Sequence, residues 1–358
     1  MKEMLLFELK KIYGKRIVQI GLLVIFLVNI LLVWSCINAE YAVDNGKEMN
    51  GLDAIKYDQS IAKEYSGELT NDKIRKIVTE YGELSFEGEH ANYNSSNSFV
   101  THTMMKDDKL LTLEQVGFND NNSLIYGYCD GWLNLVQGFG IMIMLISVIL
   151  IIAITPVFSE EYSSKTAAVI LTTKHGKNKD IIAKIASAFI FTILVYIFFA
   201  ILNFVIIGEF YSFSGLDISI QCNSSGLFFD YPINMSFKSL ISTTFFVYLI
   251  GIITLTAFSL LFSAISKTPF IAIILSIVTY ILPILVARIS ENILIQKIVH
   301  LFPILVMNLE RSILSGIKYR IFNYYFLDIK YMIILSSFIA CIVLCIGSYK
   351  AFKAYQVS

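Results

Sequence analysis

Residues 132–158 read WLNLVQGFGIMIMLISVILIIAITPVF, a stretch of 27 residues without a charged side chain. About 20 such residues are enough to cross the hydrocarbon core of a bilayer as a helix. The whole chain has a similar character, since 56% of its 358 residues are hydrophobic and only 16% are charged. A soluble protein carries about 25% charged residues. The composition therefore excludes a soluble globular enzyme, and the net charge of zero gives no reason to expect a nucleic-acid partner.

This stretch is one of six apolar runs of spanning length. None of the six has a charged residue near its centre, where a charge costs about 2.5–3.5 kcal/mol. The predicted spans are residues 17–37, 132–158, 185–208, 240–265, 270–287 and 331–349. We therefore predict an all-α integral membrane protein with six transmembrane helices.

A further apolar run, residues 293–309, is harder to interpret. It is interrupted by Lys297, His300, Pro303 and Asn308. Irregular backbone at membrane depth survives only where it packs against protein. We therefore interpret residues 288–330 as an extracellular segment, re-entrant in part, before the last span. If the run spanned the membrane instead, the chain would have seven spans and the C-terminus would lie outside.

Lys and Arg set the orientation, because short cytoplasmic loops carry an excess of them. The basic segments are residues 1–16, 159–183 and 350–358. The loop 209–238, by contrast, has no basic residue before Lys238. The segment 288–330 departs from the rule, with six basic residues. We predict a protein of the cell membrane with both termini in the cytoplasm and the loop 209–238 outside.

The first 16 residues have an amphipathic pattern. One face of a helix would carry Leu5, Leu6, Leu9, Ile12 and Tyr13, and the other face Lys2, Lys10, Lys11 and Lys15. Such a helix lies in the plane of the membrane surface and is attracted to anionic lipid. Residues 1–16 are therefore predicted to form a cytoplasmic interfacial helix that contacts membrane lipid.

Residues 38–131 form a polar insert that is predicted to lie outside the cell. The insert has 8 basic and 17 acidic residues and a net charge of −9. Two stretches, 52–65 and 70–84, have apolar residues at helical spacing, and 92–98 (NYNSSNS) has the composition of a loop. The acidity can attract cations or basic peptides, although a solvated extracellular surface is the interpretation that we favour.

Candidate polar and sulfur sites are few. Asn29, Gln137 and Asn203 lie within spans and are candidates for a transport pathway, although helix–helix hydrogen bonds explain such amides equally well. Cys129 and Cys222 both fall in segments predicted outside, where they can form a disulfide. No Cys or His cluster has zinc spacing, and no GxxxxGK[ST] phosphate loop occurs. We therefore predict no metal, no cofactor and no catalytic residue in this chain.

The most informative loop follows the second span. Residues 156–184 read PVFSEEYSSKTAAVILTTKHGKNKDIIAK. Residues 166–173 are a candidate for a short apolar helix between an acidic turn and a basic turn. A helix held just beneath the bilayer in this way is suited to docking into a groove on a soluble partner.

This loop resembles the coupling region of ABC-2 type ABC transporter permeases. Those proteins carry a Phe, an acidic residue, Gly-Thr, a Leu-rich turn ending in Ser or Thr, and a basic residue before the next span. The matching residues are Phe158, Glu160 or Glu161, Thr166, Leu171-Thr172-Thr173 and Lys184, with Lys165 where the family has Gly. The N-terminal amphipathic helix, the six spans and the turn Ser266-Lys267-Thr268-Pro269 are similar to the family as well.

The resemblance implies a permease subunit without an ATPase of its own. Two permease chains, identical or different, would pair with two ATP-binding subunits that hold Mg-ATP, and most such systems are exporters. The residues expected to contact the ATP-binding subunit are Glu160, Glu161, Lys165, Thr166, Val169, Ile170, Leu171 and Lys174. The alternative is a membrane sensor, or a scaffold for immunity to antimicrobial peptides, that binds a ligand through the insert without transport.

Overall fold

The computed structural model describes residues 1–81, 98–106, 109–118, 123–173, 176–226, 228–229, 231, 234–314, 318–322 and 325–354. The chain divides into two compact units. Unit 1 consists of Met1–Val28, Phe139–Ile201 and Thr244–Ser358, and unit 2 of Asn29–Gly138 and Leu202–Thr243. Each unit is therefore assembled from segments that are distant in sequence.

Within the part of the chain that the structure describes, six helical segments are long and apolar enough to cross a membrane. They are α2 (Arg16–Ala39), α6 with α7 (Asp130–Ile154 and Pro156–Ser163), α9 (Ile181–Tyr211), α10 (Phe237–Ile265), α11 (Pro269–Ile289) and α15 (Ile329–Lys353). The predicted fold class, an all-α membrane protein with six spans, is confirmed. The helix of the second span breaks at Pro156, which lacks a backbone N–H, and α7 starts anew there.

The N-terminal helix α1 (Lys2–Tyr13) belongs to unit 1 and is amphipathic, as predicted. It buries Glu8 and Ile12 and exposes Phe7 and Tyr13. A buried glutamate on the inner face of this helix is not expected from hydropathy. It requires a partner within the chain, because an isolated buried carboxylate is costly.

The core of unit 1 is aromatic at its centre. The ring of Phe139 on α6 lies 4.8 Å from that of Phe245 and 5.7 Å from that of Tyr196, measured between centroids. Tyr248 and Phe199 are buried as well. These rings come from α6, α9 and α10, so the three helices share one packed interior.

Residues 293–309 do not form one long helix. The segment between α11 and α15 contains three short helices, α12 (Ile293–Val299), α13 (Pro303–Val306) and α14 (Leu309–Ser312), and a hairpin of β7 (Lys318–Phe322) and β8 (Tyr325–Asp328). The seven-span alternative is therefore wrong, because no helix in this run reaches spanning length. Two of the four residues that interrupted the apolar run act as helix starts. Pro303 opens α13, and the Asn308 side chain accepts the Arg311 N–H at 3.0 Å.

Unit 2 contains the insert. Its helices are α3 (Leu52–Glu64), α4 (Asn71–Tyr81) and α5 (Ser98–Thr103), of which α3 and α4 confirm the two predicted helices. The strands are β1 (Tyr41–Asp44), β2 (Lys47–Asn50), β3 (Gly67–Glu68), β4 (Met105–Lys106), β5 (Lys109–Leu110) and β6 (Ile125–Tyr126). They form small antiparallel pairs that the sequence analysis missed. Of the predicted loop 92–98, residues 92–97 lie outside the described residues.

The insert is anchored at the ends of three spans within unit 2. The Trp132 indole N–H donates to the Ser214 carbonyl oxygen at 2.6 Å, and the Gln59 amide donates to the Tyr211 carbonyl oxygen at 2.8 Å. Glu40, directly after α2, accepts the Asn134 amide and the Tyr211 hydroxyl, each at 3.0 Å. The polar ends of α2, α6 and α9 are thereby tied together.

The predicted disulfide is not present. Cys129 and Cys222 are both buried and both free. The Cys129 thiol instead donates to the carbonyl oxygen of Cys222 at 3.1 Å. Burial raises the pKa of both thiols, which keeps them protonated. The sequence analysis gave a disulfide between these two cysteines as a possibility, whereas in the structure the two residues are hydrogen-bonded and not covalently linked.

Glu40 predicts a pH dependence of stability. Burial, with Asp130 nearby, raises the pKa of Glu40 from 4.5 to about 7. The folded state therefore binds this proton more tightly than the unfolded chain between these two values. The free energy of unfolding should fall as the pH rises through that window, and the Glu40→Gln variant should lose this component. The measurement is the thermal unfolding midpoint in detergent, at a fixed heating rate, from about pH 5 to about pH 8.

Glu68→Gln is the matched control, since Glu68 is exposed on β3 of the same unit. This variant should reproduce the wild-type pH profile. A Glu40→Gln profile parallel to that of the wild type would show that Glu40 does not titrate in this range.

Candidate functional site

The loop between the second and third spans folds into three short elements of unit 1. α7 (Pro156–Ser163) is followed by α8 (Ala167–Thr172) and by a π-helical turn, Gly176–Asp180, which leads directly into α9. Lys174, one of the predicted contact residues, lies outside the described residues, as does His175. The other seven predicted contact residues are all described.

A buried ammonium group lies behind this loop. Lys184 Nζ, on the first turn of α9, lies 2.6 Å from Glu8 Oε1 of α1 and 2.6 Å from Glu161 Oε1 of α7. Asp180 Oδ2 of the π-helical turn lies 3.6 Å from the same nitrogen. The Lys184 side chain is only 1% exposed. One cation therefore holds four elements: α1, α7, the turn and α9.

A second cation completes this group. Lys11 Nζ lies 3.3 Å from Glu161 Oε1. We name the five residues the Lys184 cluster: Glu8, Lys11, Glu161, Asp180 and Lys184. The cluster contains three carboxylates and two ammonium groups. Buried charges are tolerated only when they are paired in this way, and removing one partner typically costs about 3–5 kcal/mol.

The cluster changes the interpretation of Glu161. This residue was predicted to contact an ATP-binding subunit, but its side chain is 3% exposed and is held by Lys184 and Lys11. Glu160 is the exposed member of the acidic pair, with 42% of its side chain accessible, and it pairs with Lys15, between α1 and α2, at 2.5 Å. The structure therefore places Glu161 inside the chain, which corrects the surface position that the prediction assumed.

The short helix α8 divides the predicted apolar contact face. Val169 is 67% exposed, Ile170 is half-buried, and Leu171 is buried with Ala167 against the chain. Leu171 is thus a packing residue, contrary to the surface position assumed for it. We define the α8 surface as the exposed residues around Val169, which are Lys165, Thr166, Val169, Thr172, Thr173, Lys177 and Lys179. It combines one apolar side chain with hydroxyl groups and a basic rim.

Lys165, which stands where the resemblance in the sequence expects Gly, has an unusual backbone conformation. Its φ is 59°, in the left-handed region that glycine adopts without cost. A residue with a Cβ carries a penalty there of about 1–2 kcal/mol. The backbone hydrogen bond from the Lys165 N–H to the Tyr162 carbonyl oxygen, at 3.1 Å, holds the turn. Lys165 therefore carries a conformational cost at this turn that glycine would not.

Gly176 joins α8 to the turn at very close range. A Cβ on this residue would collide with the carbonyl oxygen of Ile170, and the Gly176 N–H bonds Thr173 Oγ1 at 3.1 Å. Only glycine fits, because the obstacle is backbone and cannot rotate away.

The far end of the chain also contacts the loop. The rings of Phe158 and Tyr162 on α7 lie 4.8 and 5.4 Å from the ring of Phe352 on α15. Tyr349 of α15 donates its hydroxyl to Asn178 Oδ1 at 2.6 Å. The sequence analysis missed Glu8, Lys11 and Phe352 as members of this site. A lone acidic residue on the apolar face of α1 is the signal that could have identified Glu8.

Two of the three candidate pathway residues meet. Asn29 Nδ2 donates to Asn203 Oδ1 at 2.8 Å, and both side chains are buried within unit 2. Gln137 is exposed and takes no part in this pair. Among the described residues, no group of three or more His, Cys, Asp or Glu side chains is arranged to hold a metal ion. The Asn29–Asn203 bond is the geometry of a helix–helix contact.

We predict that Lys184→Met strongly destabilises the protein. The substitution removes the ammonium group and leaves the carboxylates of Glu8, Glu161 and Asp180 crowded together. We expect a loss of about 3–5 kcal/mol. Lys15→Met is the matched control, since its pair with Glu160 is partly exposed and worth about 0–1 kcal/mol. Denaturant titration in detergent measures both, and equal losses would contradict a structural role for the cluster.

Gly176→Ala should disturb the loop, because the added methyl group would push α8 away from the turn. The measurement is the rate of proteolytic cleavage within residues 163–180, which should rise several-fold. Gly138→Ala is the matched control, since nothing lies within 4 Å of a Cβ at that helical position. That substitution should be neutral or stabilise α6 by about 0.5–1 kcal/mol. Equal cleavage of the two variants would show that the loop tolerates a Cβ at Gly176.

Comparison with known proteins came to one result. The family model described as ABC-2 family transporter protein matches residues 7–354. No curated protein and no solved structure matches the chain significantly. The matched range includes all six spans, the loop with the Lys184 cluster and the insert. Because the match covers nearly the whole length of a chain with six membrane-crossing helices, this protein belongs to the ABC-2 family of transporter proteins, as a multi-pass membrane permease.

Proposed function

We propose that this chain is the permease subunit of an ABC exporter and that the loop between the second and third spans couples it to a separate ATP-binding subunit. Family membership supports a permease that works with such a subunit. The observation that carries the coupling role is the position of α8. It exposes Val169 on one side, while a buried ion cluster holds the loop to α1 and α9 on the opposite side.

The partner's surface can be described from the α8 surface. Val169 would enter an apolar recess, and Lys165, Lys177 and Lys179 would lie at its edge. A cationic rim is complementary to acidic side chains, which steer association and set the register of docking. The hydroxyl groups of Thr166, Thr172 and Thr173 would supply hydrogen bonds between them.

Transmission of movement would use the Lys184 cluster. When ATP brings the ATP-binding subunits together, the docked α8 would be displaced. Gly176 packs against the backbone of α8, so the π-helical turn would move with it. Glu161 and Lys184 would carry that displacement to α7 and α9, and Glu8 would carry it to α1. Buried ion pairs suit this task because separating them leaves uncompensated charge.

The remaining features of the assembly belong to the same proposal. Both termini would lie in the cytoplasm and the insert would lie outside. The segment from α12 to β8 would also lie outside, with part of it entering the membrane from the extracellular side. A second permease chain, identical or different, would cover part of α2, α11 and α15, which bury the smallest share of their side chains within the chain. Membrane lipid would cover the rest, and Mg-ATP would be held by the partner subunits.

One observation favours the alternative of a sensor. Unit 2 contains a cavity of about 530 Å³, lined by Gln59, Lys63, Tyr128 and Asp217 among others. Its size is that of a small-ligand site. A ligand bound there would act through the insert without requiring transport.

Co-purification tests the proposal. The tagged chain, solubilised from native membranes in mild detergent, should bring down a soluble protein with a phosphate-binding loop in near-equal amount. Val169→Asp should weaken that association about ten-fold and reduce the ATPase activity accordingly, because a carboxylate replaces the apolar anchor. The side chain is exposed, so folding should be unaffected.

Leu52→Asp is the control, an equivalent change of an exposed apolar side chain in the insert. It should leave association intact. If Val169→Asp retains the partner and its activity, the loop is not the docking site. If the wild-type chain retains no such partner in any of several detergents, the sensor becomes the better interpretation.

A further inference from the structure

An apolar groove runs along α1, α2 and α9 within unit 1. Its volume is about 720 Å³, in the range of sites that hold small ligands. Leu9 and Tyr13 of α1, Phe26 of α2, and Leu194 and Phe198 of α9 form its walls. From Gln19 to Phe26 the groove follows α2 for about 10 Å, at 1.5 Å per helical residue. A groove of this length and apolar lining is suited to holding a hydrocarbon chain.

A cationic side chain, Lys10, lies at the edge of this groove. Lys10 is exposed and lines the groove, and among the described residues it has no ion pair or side-chain hydrogen bond. Two lysines nearby in the sequence, Lys11 on α1 and Lys15 just after it, differ in this respect. Lys11 is paired with Glu161 and Lys15 with Glu160. Lys10 is thus the basic residue of this turn that remains available to an external anion.

We propose that the groove is a binding site for an anionic membrane phospholipid. One acyl chain would lie along α2 and α9, and the phosphate-containing headgroup would bind the Lys10 ammonium. The apolar walls supply the affinity for the chain, at about 0.8 kcal/mol for each buried methylene group. Lys10 supplies the preference for an anionic headgroup over a zwitterionic one. The occupant is a phospholipid, because a free phosphate would leave the walls unfilled.

The position of the groove on α1 gives the lipid a role. Leu9 and Lys10 line the groove, while Glu8 and Lys11 belong to the Lys184 cluster. Four consecutive residues of α1 are therefore divided between the two sites, two in each. A bound lipid would fix α1 and so strengthen the connection between α1, α7 and α9. This regulatory part rests on the proposed function, whereas the lipid site itself does not.

Lipid binding is tested on the purified chain without any partner subunit. Phosphatidylglycerol and phosphatidylcholine with identical acyl chains are added to the protein in detergent, and retained lipid is counted by native mass spectrometry. Phosphatidylglycerol should bind more tightly. Lys10→Gln should lower its affinity about five-fold, to that of phosphatidylcholine. Lys2→Gln, which changes an exposed lysine of α1 outside the groove, should have no effect.

A second pair of variants tests the walls. Leu194→Trp would fill the groove from an exposed position on α9 and should reduce the binding of both lipids. Ile201→Trp changes an equally exposed residue of α9 outside the groove and should not. Soluble glycerol phosphate should fail to compete. Equal binding of the two lipids, or no effect of Lys10→Gln or of Leu194→Trp, would overturn the site.

The regulatory role is measured separately, as ATPase activity of the complete transporter in nanodiscs. Activity should be higher in phosphatidylglycerol than in phosphatidylcholine for the wild type, and Lys10→Gln should remove the difference. Tight lipid binding with no effect on activity would overturn the regulatory role alone. Absence of a co-purifying ATPase would count against the proposed function and would leave the lipid site standing.

Discussion

The arrangement of unit 1 depends on one ammonium group that has no access to water. Lys184 is 1% exposed, and its charge is balanced by carboxylates from α1, α7 and the π-helical turn. A buried charge without a counter-charge is strongly unfavourable. The three elements must therefore stay within ion-pairing distance of the start of α9. This constraint links the N-terminal helix, the end of the second span and the start of the third span, which hydropathy alone would leave independent.

The same constraint gives the loop two different sides. Glu161, Leu171 and Gly176 face the chain and hold the loop to its neighbours, whereas Val169 and the lysines around it face outward. The backbone contributes as much as the side chains. Lys165 adopts the left-handed conformation that favours glycine, with a φ of 59°. The proposed coupling role would use this division, because one side would bind the partner while the other would transmit the movement.

Unit 2 follows a different principle. Among its described residues, the strands are two to four residues long and pair with one another, and the Ser219 N–H donates to the Ile125 carbonyl oxygen of β6 at 3.0 Å. α3 and α4 could be predicted because they are long enough to show helical periodicity. Strands of two to four residues are too short for a period of two to be visible. The turn at Asn45-Gly46, with positive φ at both residues, is the one local signal for the β1–β2 hairpin.

The sequence by itself determined the six spans, the amphipathic α1 and the resemblance of the loop to the ABC-2 family. Each of these features depends on residues that are close together in the sequence, because the length of a span and the period of a helix are both properties of a short stretch of chain. Only the tertiary structure decided that Glu161 and Leu171 are internal, that the two cysteines stay free, and that Glu8 reaches Lys184. Glu8 and Lys184 are 176 positions apart. A periodic pattern in the sequence cannot predict a contact between residues so far apart along the chain, since an ion pair depends on where the two residues lie in space.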